Sequence, residues 1–429
     1  MDFYGCSDTH LIHYHLWLSP LTFNTSENWG EGVDRPERLV MVRYGELFLK
    51  SESVKHHFIG MLLRNIRKAL SAAFLTCHFE TPRGRILIYG EEPEKMADIV
   101  SRIFGIIDVS VCIRTSTRLE DICSEAVSLA STNLSGGMSF AVRAKRQQKT
   151  GLNSQELGKL IGSAVYNHIP GLRVDLTNPD YELFIEIRDF GGLIYDSRIP
   201  APGGLPWGTQ GRVLALLSSG IDSPVASWLM MKRGCEITHL HLDAGRWAGK
   251  DVTETAIANH RKLSGWCSGN SLTLVIATSE HLYDSMEQCR IPSRYRCVIC
   301  KRFMQCVAGH LMQKEGALAV VTGENLGQVA SQTLANLSVI SEATQVPVLR
   351  PLITYDKEET VTLARMIGTF VTHPGDLTCR AVPNMPATAA VLETVKSCEQ
   401  KMNIDEIVKK SLSDIRFITA LNCEIISET

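Results

Sequence analysis

The sequence lacks any hydrophobic run long enough to cross a membrane. No stretch of about 18 consecutive apolar residues occurs, so we expect no transmembrane helix. The first residues also lack a basic segment followed by an apolar one, which is the pattern of a secretory signal peptide. With neither feature present, we predict a cytoplasmic protein that has no membrane partner.

An excess of charge of either sign is also missing. The chain has 429 residues and a formal net charge of -2, so its total charge neither favours nor excludes nucleic acid as a partner. Its 13 cysteines are scattered and odd in number, which does not suggest a disulfide framework. Reduced thiols are the simpler interpretation, with metal or sulfur chemistry where cysteines cluster.

The chain is too long for one hydrophobic core, and its pattern changes near residue 200. Before that point, strands and helices alternate irregularly, as in small α+β units. Residues 200–211 are rich in proline and glycine and predict a linker. From residue 212 onward, apolar strands alternate with helices. This pattern predicts an α/β fold with a parallel sheet covered by helices on both faces.

The first strand after the linker ends in a loop of small residues. The loop runs Ser218-Ser-Gly-Ile-Asp-Ser223 and leads into a helix that has proline near its start. Because free N–H groups at such a turn and at a helix N-terminus attract anions, we predict a phosphate site. No Gly-Lys-Ser/Thr follows, so this is not a Walker loop. A tight turn with a serine cap is the purely structural explanation of the same pattern.

Two further groups of residues suggest chemistry. Arg143, Lys145, Arg146 and Lys149 form a basic run without an acidic neighbour in sequence, which can neutralise RNA phosphates, although a solvated face would show the same pattern. Cys297-Val-Ile-Cys300 precedes a predicted helix. No second pair with matching spacing supports a zinc site. A redox disulfide or inert buried thiols would also account for this pair.

The loop resembles the PP-loop of ATP pyrophosphatases, which form adenylated intermediates. The family pattern usually has two glycines, and Ser219 replaces the first of them. Other segments, spread over roughly residues 38–400, resemble one subgroup, the tRNA 4-thiouridine synthetases of the ThiI family. These segments are Arg43-Tyr-Gly-Glu46 with Leu49-Lys50, Phe140–Arg146, Thr322–Thr333, Val348–Leu352 and Asp356–Glu358.

The resemblance implies an α/β PP-loop domain with a Rossmann-like parallel sheet, preceded by two α+β domains. We place the parts as follows: a poorly ordered extension at 1–37, a ferredoxin-like domain at 38–95, a THUMP domain at 96–199, a linker at 200–211, a PP-loop ATP pyrophosphatase domain at 212–400 and a C-terminal helical tail at 401–429. Related enzymes are often dimers, so a homodimer with tRNA as its partner is expected.

The resemblance also implies the reaction. ATP with Mg²⁺ would adenylate O4 of uridine at position 8 of a tRNA, and sulfur would then replace that oxygen to give 4-thiouridine. Asp222 would orient magnesium or pyrophosphate, and Lys357 would stabilise charge on the transferring phosphate. The predicted ATP contacts are Leu216, Leu217, Ser218, Gly220, Ser223, His241, Leu242, Lys301 or Arg302, Gly323 and Gln332.

The sulfur route is predicted from cysteines. Cys379 is similar in position to the catalytic cysteine of bacterial members, where a C-terminal rhodanese domain delivers sulfur. The chain ends at Thr429, so we expect sulfide or a sulfur-donor protein instead. Members without rhodanese, mainly archaeal, resemble this chain in having the C-x-x-C, and three of their cysteines hold an iron–sulfur cluster. Cys297, Cys300 and Cys379 would hold a [4Fe–4S] or [3Fe–4S] cluster here.

Three functions compete with that of a cluster enzyme. In the first, Cys379 carries a persulfide and no cluster is needed. In the second, Ser219 weakens catalysis and the chain is an RNA-binding protein with a decayed nucleotide site. In the third, a PP-loop ligase acts on a small molecule, although the basic run favours a nucleic acid substrate.

Overall fold

The computed structural model describes residues 36–45, 51–147, 152–373 and 375–429. Nearly all of the predicted extension at 1–37 lies outside the described residues, as do Lys149 and the segment from Glu46 to Lys50. Within the described residues the chain forms one sheet of nine strands and one of seven. No helix in this part of the chain is long and apolar enough to span a bilayer.

The N-terminal unit is a sheet with two helices on one face. Its elements are β1 (Glu37–Tyr44), α1 (Glu52–Ala72), β2 (His78–Glu80), β3 (Ile86–Tyr89), α2 (Pro93–Val100) and β4 (Ile106–Thr115). Phe58, Leu62 and Ile66 recur at helical spacing and are buried against the sheet. β1 lies between β3 and β4 and is antiparallel to both.

The next unit continues the same sheet. Its elements are α3 (Leu119–Asn133), β5 (Ser139–Arg146), α4 (Ser154–His168), β6 (Arg173–Val174), β7 (Tyr181–Arg188), β8 (Gly191–Tyr195) and β9 (Ile199–Pro200). β4 pairs with β1 along its length and with β8 near its end, so the strand order β2-β3-β1-β4-β8-β7-β5-β6 is unbroken. The predicted boundary between residues 95 and 96 is wrong. It falls inside α2, which is buried in the same core as α1.

A buried ion network joins these two units. Glu186 on β7 has a side chain only 2% exposed and is paired with Arg43 on β1, with Arg85 and with Arg188. Burial raises the pKa of Glu186, but the surrounding arginines outweigh burial and hold the pKa below its usual range. Removing one member of such a network would leave an unpaired buried charge, so the network fixes the two units relative to each other.

The second sheet belongs to the PP-loop half. Its elements are β10 (Arg212–Leu216), α5 (Asp222–Lys232), β11 (Glu236–Asp243), α6 (Val252–Ser264), β12 (Leu272–Thr278), α7 (Glu280–Gln288), α8 (Arg296–Glu315), β13 (Val320–Val321), α9 (Leu334–Ser341), β14 (Val348–Leu349), α10 (Lys357–Met366), α11 (Leu392–Met402), α12 (Ile404–Ser413), β15 (Ile415–Leu421) and β16 (Glu424–Glu428). Strands β14-β13-β10-β11-β12 are parallel, with buried apolar clusters on both faces. The predicted α/β sheet is confirmed.

The order of the parallel strands reverses at β10. The chain places β11 on one side of β10 and β13 on the other. In open parallel sheets, the crevice at such a reversal is where ligands bind. The loop predicted to bind phosphate follows β10 directly, so the topology puts it at that crevice.

The predicted linker at 200–211 is a packed segment. Trp207 is buried, and its carbonyl accepts a hydrogen bond of 3.1 Å from the Asn65 side chain on α1. Gly204 has a positive φ, and a Cβ there would come within 2.0 Å of the Lys232 carbonyl oxygen on α5. The segment therefore anchors α1 against α5 and leaves no room for a side chain at residue 204.

The predicted helical tail at 401–429 is wrong beyond Ser413. After α12 the chain forms a hairpin of β15 and β16, and β15 pairs antiparallel with β12. Ile418 and Ala420 alternate into the core, while Asn422 and Cys423 turn the chain with φ of 48° and 67°. Asparagine tolerates this left-handed conformation, which suits a tight hairpin. The PP-loop sheet thus continues through β16.

Two histidines are buried together between β11 and α6. The Nδ1 atoms of His239 and His260 lie 2.9 Å apart, so one ring donates a hydrogen bond to the other. Burial lowers the pKa of His260 to about 4 and the pKa of His239 well below its usual value. Both rings are therefore neutral in the folded protein at pH 7.

We expect the free energy of unfolding to fall between pH 7 and pH 5. The unfolded chain binds protons at both histidines near pH 6.5, whereas folding lowers the pKa of His260 to about 4 and lowers the pKa of His239 well below its usual value. Stability present above pH 6.5 is thus lost as the pH falls, by about 2 kcal/mol at pH 5 for His260, and the loss from His239 has the same sign. Urea unfolding at the two pH values measures this loss. The double variant His239→Leu with His260→Leu should lose much less, and equal losses would contradict the assignment.

Candidate active site

A cavity of about 360 Å³ lies at the carboxyl ends of β10, β11 and β13. Its position is the crevice where the strand order reverses. Gly220 and Arg302 do not line it. The predicted ATP contacts that do line it are Leu216, Leu217, Ser218, Ser223, His241, Leu242, Lys301, Gly323 and Gln332.

The loop after β10 is held closed by its own hydroxyl groups. The Ser223 hydroxyl accepts a hydrogen bond of 2.8 Å from the Ser218 backbone and lies 2.9 Å from the Ser218 hydroxyl. The Gly220 N–H donates to the Ser218 hydroxyl at 3.2 Å. Ser219 does not have a positive φ. Serine therefore fits at the position of the expected glycine without the strain that a left-handed backbone conformation would cause.

Gly323 allows the end of β13 to approach this loop closely. A Cβ at residue 323 would lie 2.7 Å from the backbone nitrogen of Ser223, which is closer than real Cβ contacts. The neighbouring atoms belong to backbone, so no flexible side chain can move aside. Glycine is required here because the two segments that border the cavity nearly touch.

We expect Gly323→Ala to separate β13 from the loop. Overpacking of this kind costs about 1–3 kcal/mol of stability, and the displaced loop should bind nucleotide at least about tenfold more weakly. Calorimetry of nucleotide binding and thermal unfolding measure the two effects. Gly60→Ala is the control, since nothing lies within 4 Å of a Cβ there. If Gly323→Ala behaved like the control, the close approach would not matter.

Asp222 and Lys357 meet at the mouth of the cavity. The Lys357 ammonium donates to both carboxylate oxygens of Asp222, at 3.1 and 3.2 Å, and the Gln328 amide donates to the same group at 3.3 Å. Lys357 is the first residue of α10, where the helix dipole disfavours a cation. Its position is therefore not explained by helix stability. The structure brings together two residues that the sequence predicted to act together.

A buried carboxylate organises the inner wall of the cavity. Glu324 pairs with Lys301 at 3.1 Å and with Arg350 at 2.8 Å. Burial raises its pKa, but the two cations outweigh burial and lower it below the usual range. Lys301 is thereby held at the cavity with a charge already balanced by protein.

Arg302 is turned away from the cavity, so the prediction that it contacts ATP is corrected in favour of Lys301. Its guanidinium, 4% exposed, is paired with Glu399 at 2.7 Å and with Glu342 at 3.0 Å. Lys301 lines the cavity, whereas these two ion pairs hold the Arg302 side chain on another side of α8. Arg302 instead fixes α8 against α9 and α11.

His241 is a neutral residue in the wall of the cavity. Its Nδ1 donates to the Leu217 carbonyl at 2.9 Å, which leaves Nε2 to accept from the Thr253 hydroxyl at 3.2 Å. Burial lowers its pKa. The ring therefore adds no positive charge near the loop, and its role here is to hold the end of β10.

The three predicted sulfur ligands lie near one another, and one of them faces the cavity. Cys297 and Cys300 are in the first turns of α8, and Cys379 lines the cavity. Burial raises the pKa of Cys300 to about 12, and the nearby Cys379 and Cys297 thiols raise this pKa as well. A hydrogen bond with Tyr283, whose oxygen is 2.9 Å from the Cys300 sulfur, acts in the opposite direction and lowers the pKa. The three thiols are thus close enough to influence one another.

These cysteines do not form a closed metal site. Across the ranges that the structure describes, no group of three or more His, Cys, Asp or Glu is arranged to hold a metal ion. Cys379 is exposed and Cys300 is buried. Three thiols are suitable ligands for an iron–sulfur cluster, but the cysteines would have to move closer together before they could bind one.

A short pairing of two segments holds Cys379 over the cavity. The Gly249 N–H donates to the Thr378 carbonyl at 2.7 Å, and the Arg380 N–H donates to the Trp247 carbonyl at 2.8 Å. Trp247 and Thr378 also line the cavity, although nothing in the sequence indicated them. Their place depends on contacts between segments distant in sequence. Glu324 and Gln328, in contrast, fall inside a segment that carried the family resemblance.

Only part of the basic run on β5 is free of hydrogen bonds to other protein groups. Arg143 donates to Glu182 on the neighbouring strand β7 at 2.7 Å, so the run has an acidic neighbour that the sequence order concealed. Arg146 donates to the Leu152 carbonyl at 3.1 Å, and Lys145 is exposed. The structure thus leaves Lys145 as the exposed cation among the described members of the run.

Three family profiles match the chain. They are the ThiI ferredoxin-like domain over residues 39–110, the THUMP domain over 116–195 and "Thiamine biosynthesis protein (ThiI)" over 208–404. A probable tRNA sulfurtransferase of Methanothermobacter thermautotrophicus is 40% identical over 379 residues, which cover 86% of this chain and 95% of that protein. The chain belongs to the ThiI family.

Other members of the ThiI family agree with this assignment. A probable tRNA sulfurtransferase of Moorella thermoacetica is 37% identical, covering 89% of this chain and 97% of that protein. A crystal structure of a 4-thiouridine synthetase–RNA complex with bound ATP matches with a TM-score of 0.79 and 30% identity, covering 91% of this chain and 100% of that one. The predicted family and the predicted order of ferredoxin-like, THUMP and PP-loop domains are confirmed.

Proposed function

We propose that this chain is an ATP-dependent tRNA sulfurtransferase that converts a tRNA uridine to 4-thiouridine. The observation that carries the proposal is the Asp222–Lys357 pair at the mouth of the cavity, beside a loop with the form of a phosphate site. The named relatives and the solved 4-thiouridine synthetase, which has RNA and ATP bound, support the same reaction.

The first step is adenylation of the uridine oxygen. O4 attacks the α-phosphorus of ATP, the bond to the bridging oxygen breaks, and pyrophosphate leaves. The loop from Ser218 to Ser223 receives the phosphates, and Lys357 stabilises the charge that develops during transfer. Asp222 is the carboxylate within this loop, so it would share Mg²⁺ with phosphate oxygens and water.

The second step replaces the adenylated oxygen. A sulfur nucleophile attacks C4, and the oxygen leaves as part of AMP. Cys379 lines the cavity, whereas Cys300 is buried beside Tyr283, and Cys297 precedes Cys300 on α8. Together these three thiols would hold an iron–sulfur cluster, which when bound would supply sulfur chemistry beside C4. A persulfide on Cys379 is the second candidate route, and a donor protein that already carries sulfane sulfur would be its source. Sulfide would supply sulfur only in the cluster route, because it would need an oxidant to form a persulfide.

The N-terminal half supports tRNA as the acceptor. The ferredoxin-like and THUMP units form one sheet, and Lys145 is exposed on its strand β5. Exposed cations of this kind contact the phosphate backbone of RNA and hold it without recognising its sequence. Position 8 as the modified uridine and a homodimeric assembly belong to the same proposal.

The test is a thiolation assay with anaerobically purified protein. It combines an unmodified tRNA transcript, ATP, Mg²⁺ and sulfide, and measures 4-thiouridine and AMP separately. We expect AMP to form only when tRNA is present and thiouridine to form at one position. AMP release without tRNA would indicate a ligase for small molecules. Binding of tRNA without any AMP would indicate an RNA-binding protein.

A further inference from the structure

The inner face of α8 carries a polar side chain that the reaction above does not use. Lys301, Met304 and Gln305 line the cavity from this helix, and α8 packs across β10, β11 and β13. Lys301 is balanced by Glu324. Gln305, about one turn deeper, is only 1% exposed, and its Oε1 has no hydrogen-bond partner.

An unpaired buried acceptor is costly. Leaving such an atom without a donor costs about 1–3 kcal/mol, and native structures contain few of them. Among the buried side-chain atoms of the described residues that lack a partner, two belong to residues lining the cavity: Oε1 of Gln305 and Oε1 of Gln332. Neither amide oxygen has a donor from the protein, and a ligand in the cavity that both residues line could supply one.

The residues around Gln305 indicate the chemistry of the ligand that would fit there. The phosphate loop forms one end of the cavity, while Leu240, Leu242, Trp247 and Met304 give the wall apolar character. A flat ring fits between such side chains, with its polar edge directed at an amide. A carboxamide pairs with adenine through two hydrogen bonds, since it accepts from the N6 amino group and donates to the adjacent ring nitrogen.

We propose that Gln305 recognises the edge of adenine and makes the site selective for ATP over GTP. Guanine carries an acceptor oxygen where adenine carries its amino group, so the same amide orientation would oppose two acceptors. The proposal rests on the proposed function, because it requires ATP in this cavity. It adds a residue that determines which nucleotide is used.

The experiment measures nucleotide binding by Gln305→Met with calorimetry. Methionine is similar in size and removes both polar atoms, so the core should stay filled. ATP binding should weaken by about 10- to 100-fold, the usual range for losing such a paired contact. GTP binding should stay unchanged or strengthen, because the opposed acceptor of the amide is gone, and the preference for ATP should largely disappear. Tripolyphosphate, which has no base, should bind both proteins equally.

The controls separate the possible outcomes. Gln313 is exposed on the same helix, so Gln313→Met should keep wild-type selectivity. Thermal unfolding without nucleotide should show Gln305→Met at least as stable as wild type, since an unpaired acceptor is removed. An unchanged ratio of ATP to GTP affinity in Gln305→Met would overturn the proposal. So would unchanged nucleotide binding with a raised KM for tRNA, because the amide would then contact uracil. Wild-type protein that binds no ATP would instead reject the proposed function.

Discussion

Lys357→Ala should abolish thiolation while tRNA still binds. The ammonium of Lys357 lies 3.1 and 3.2 Å from the carboxylate oxygens of Asp222, at the loop that we propose receives the phosphates. Removal of a preorganised group that stabilises charge in the transition state lowers a rate constant by about 100- to 1000-fold. The lysine lies at an unfavourable position for its helix, so its loss should not destabilise α10.

The measurement is a comparison of tRNA-dependent AMP formation with tRNA affinity. Lys357→Ala and Asp222→Ala should both lose AMP formation and keep tRNA binding, because the units proposed to bind tRNA lie on the other sheet. Lys409→Ala is the matched control, since this lysine is exposed on α12. Activity within a few-fold of wild type in either site variant would show that the pair has no role in adenylation.

Cys379→Ser should block sulfur insertion without stopping adenylation. Cys379 lines the cavity from the segment that pairs with Gly249, whereas Asp222 and Lys357 lie at the start of α5 and of α10. Uridine should therefore still be adenylated, and AMP should appear by slow hydrolysis of the adenylate. Thiouridine should fall to background.

The three cysteines also distinguish the two sulfur routes. If a cluster is used, Cys297→Ser and Cys300→Ser should lose iron and thiolation together with Cys379→Ser. If a persulfide is used, only Cys379→Ser should lose thiolation, and chelation of iron should have no effect. Cys306→Ser is the control on the same helix, because its sulfur contacts the Ala343 carbonyl. Loss of iron in this control would contradict the assigned ligands.

The sequence predicted the parts of the site that lie within single segments. The loop from Ser218 to Ser223 follows a buried strand and precedes a helix, so local pattern placed it at the carboxyl end of β10. Gly323 and Gln332 fall inside one continuous segment of family resemblance and both line the cavity. Such residues are recognisable because neighbouring positions in the chain share their environment.

Predictions failed where placement depends on distant segments. Arg302 could not be separated from Lys301 by sequence, since the choice depends on where Glu399 and Glu342 pack. Glu182 neutralises Arg143 across two strands, which sequence order concealed. The hairpin of β15 and β16 was missed because its alternation of apolar and polar residues is short and directly follows a helix. Its partner strand β12 also lies far away in the sequence.

The unbroken nine-stranded sheet limits how this protein can be divided. A cut between the ferredoxin-like and THUMP units would expose one edge of β4 and one of β8, along with the buried carboxylate of Glu186. Bare strand edges of this kind promote association between copies. Neither unit should therefore be portable alone, and a chimera that exchanges tRNA-binding parts should transplant both together, with its junction in the segment between Ile199 and Gly211.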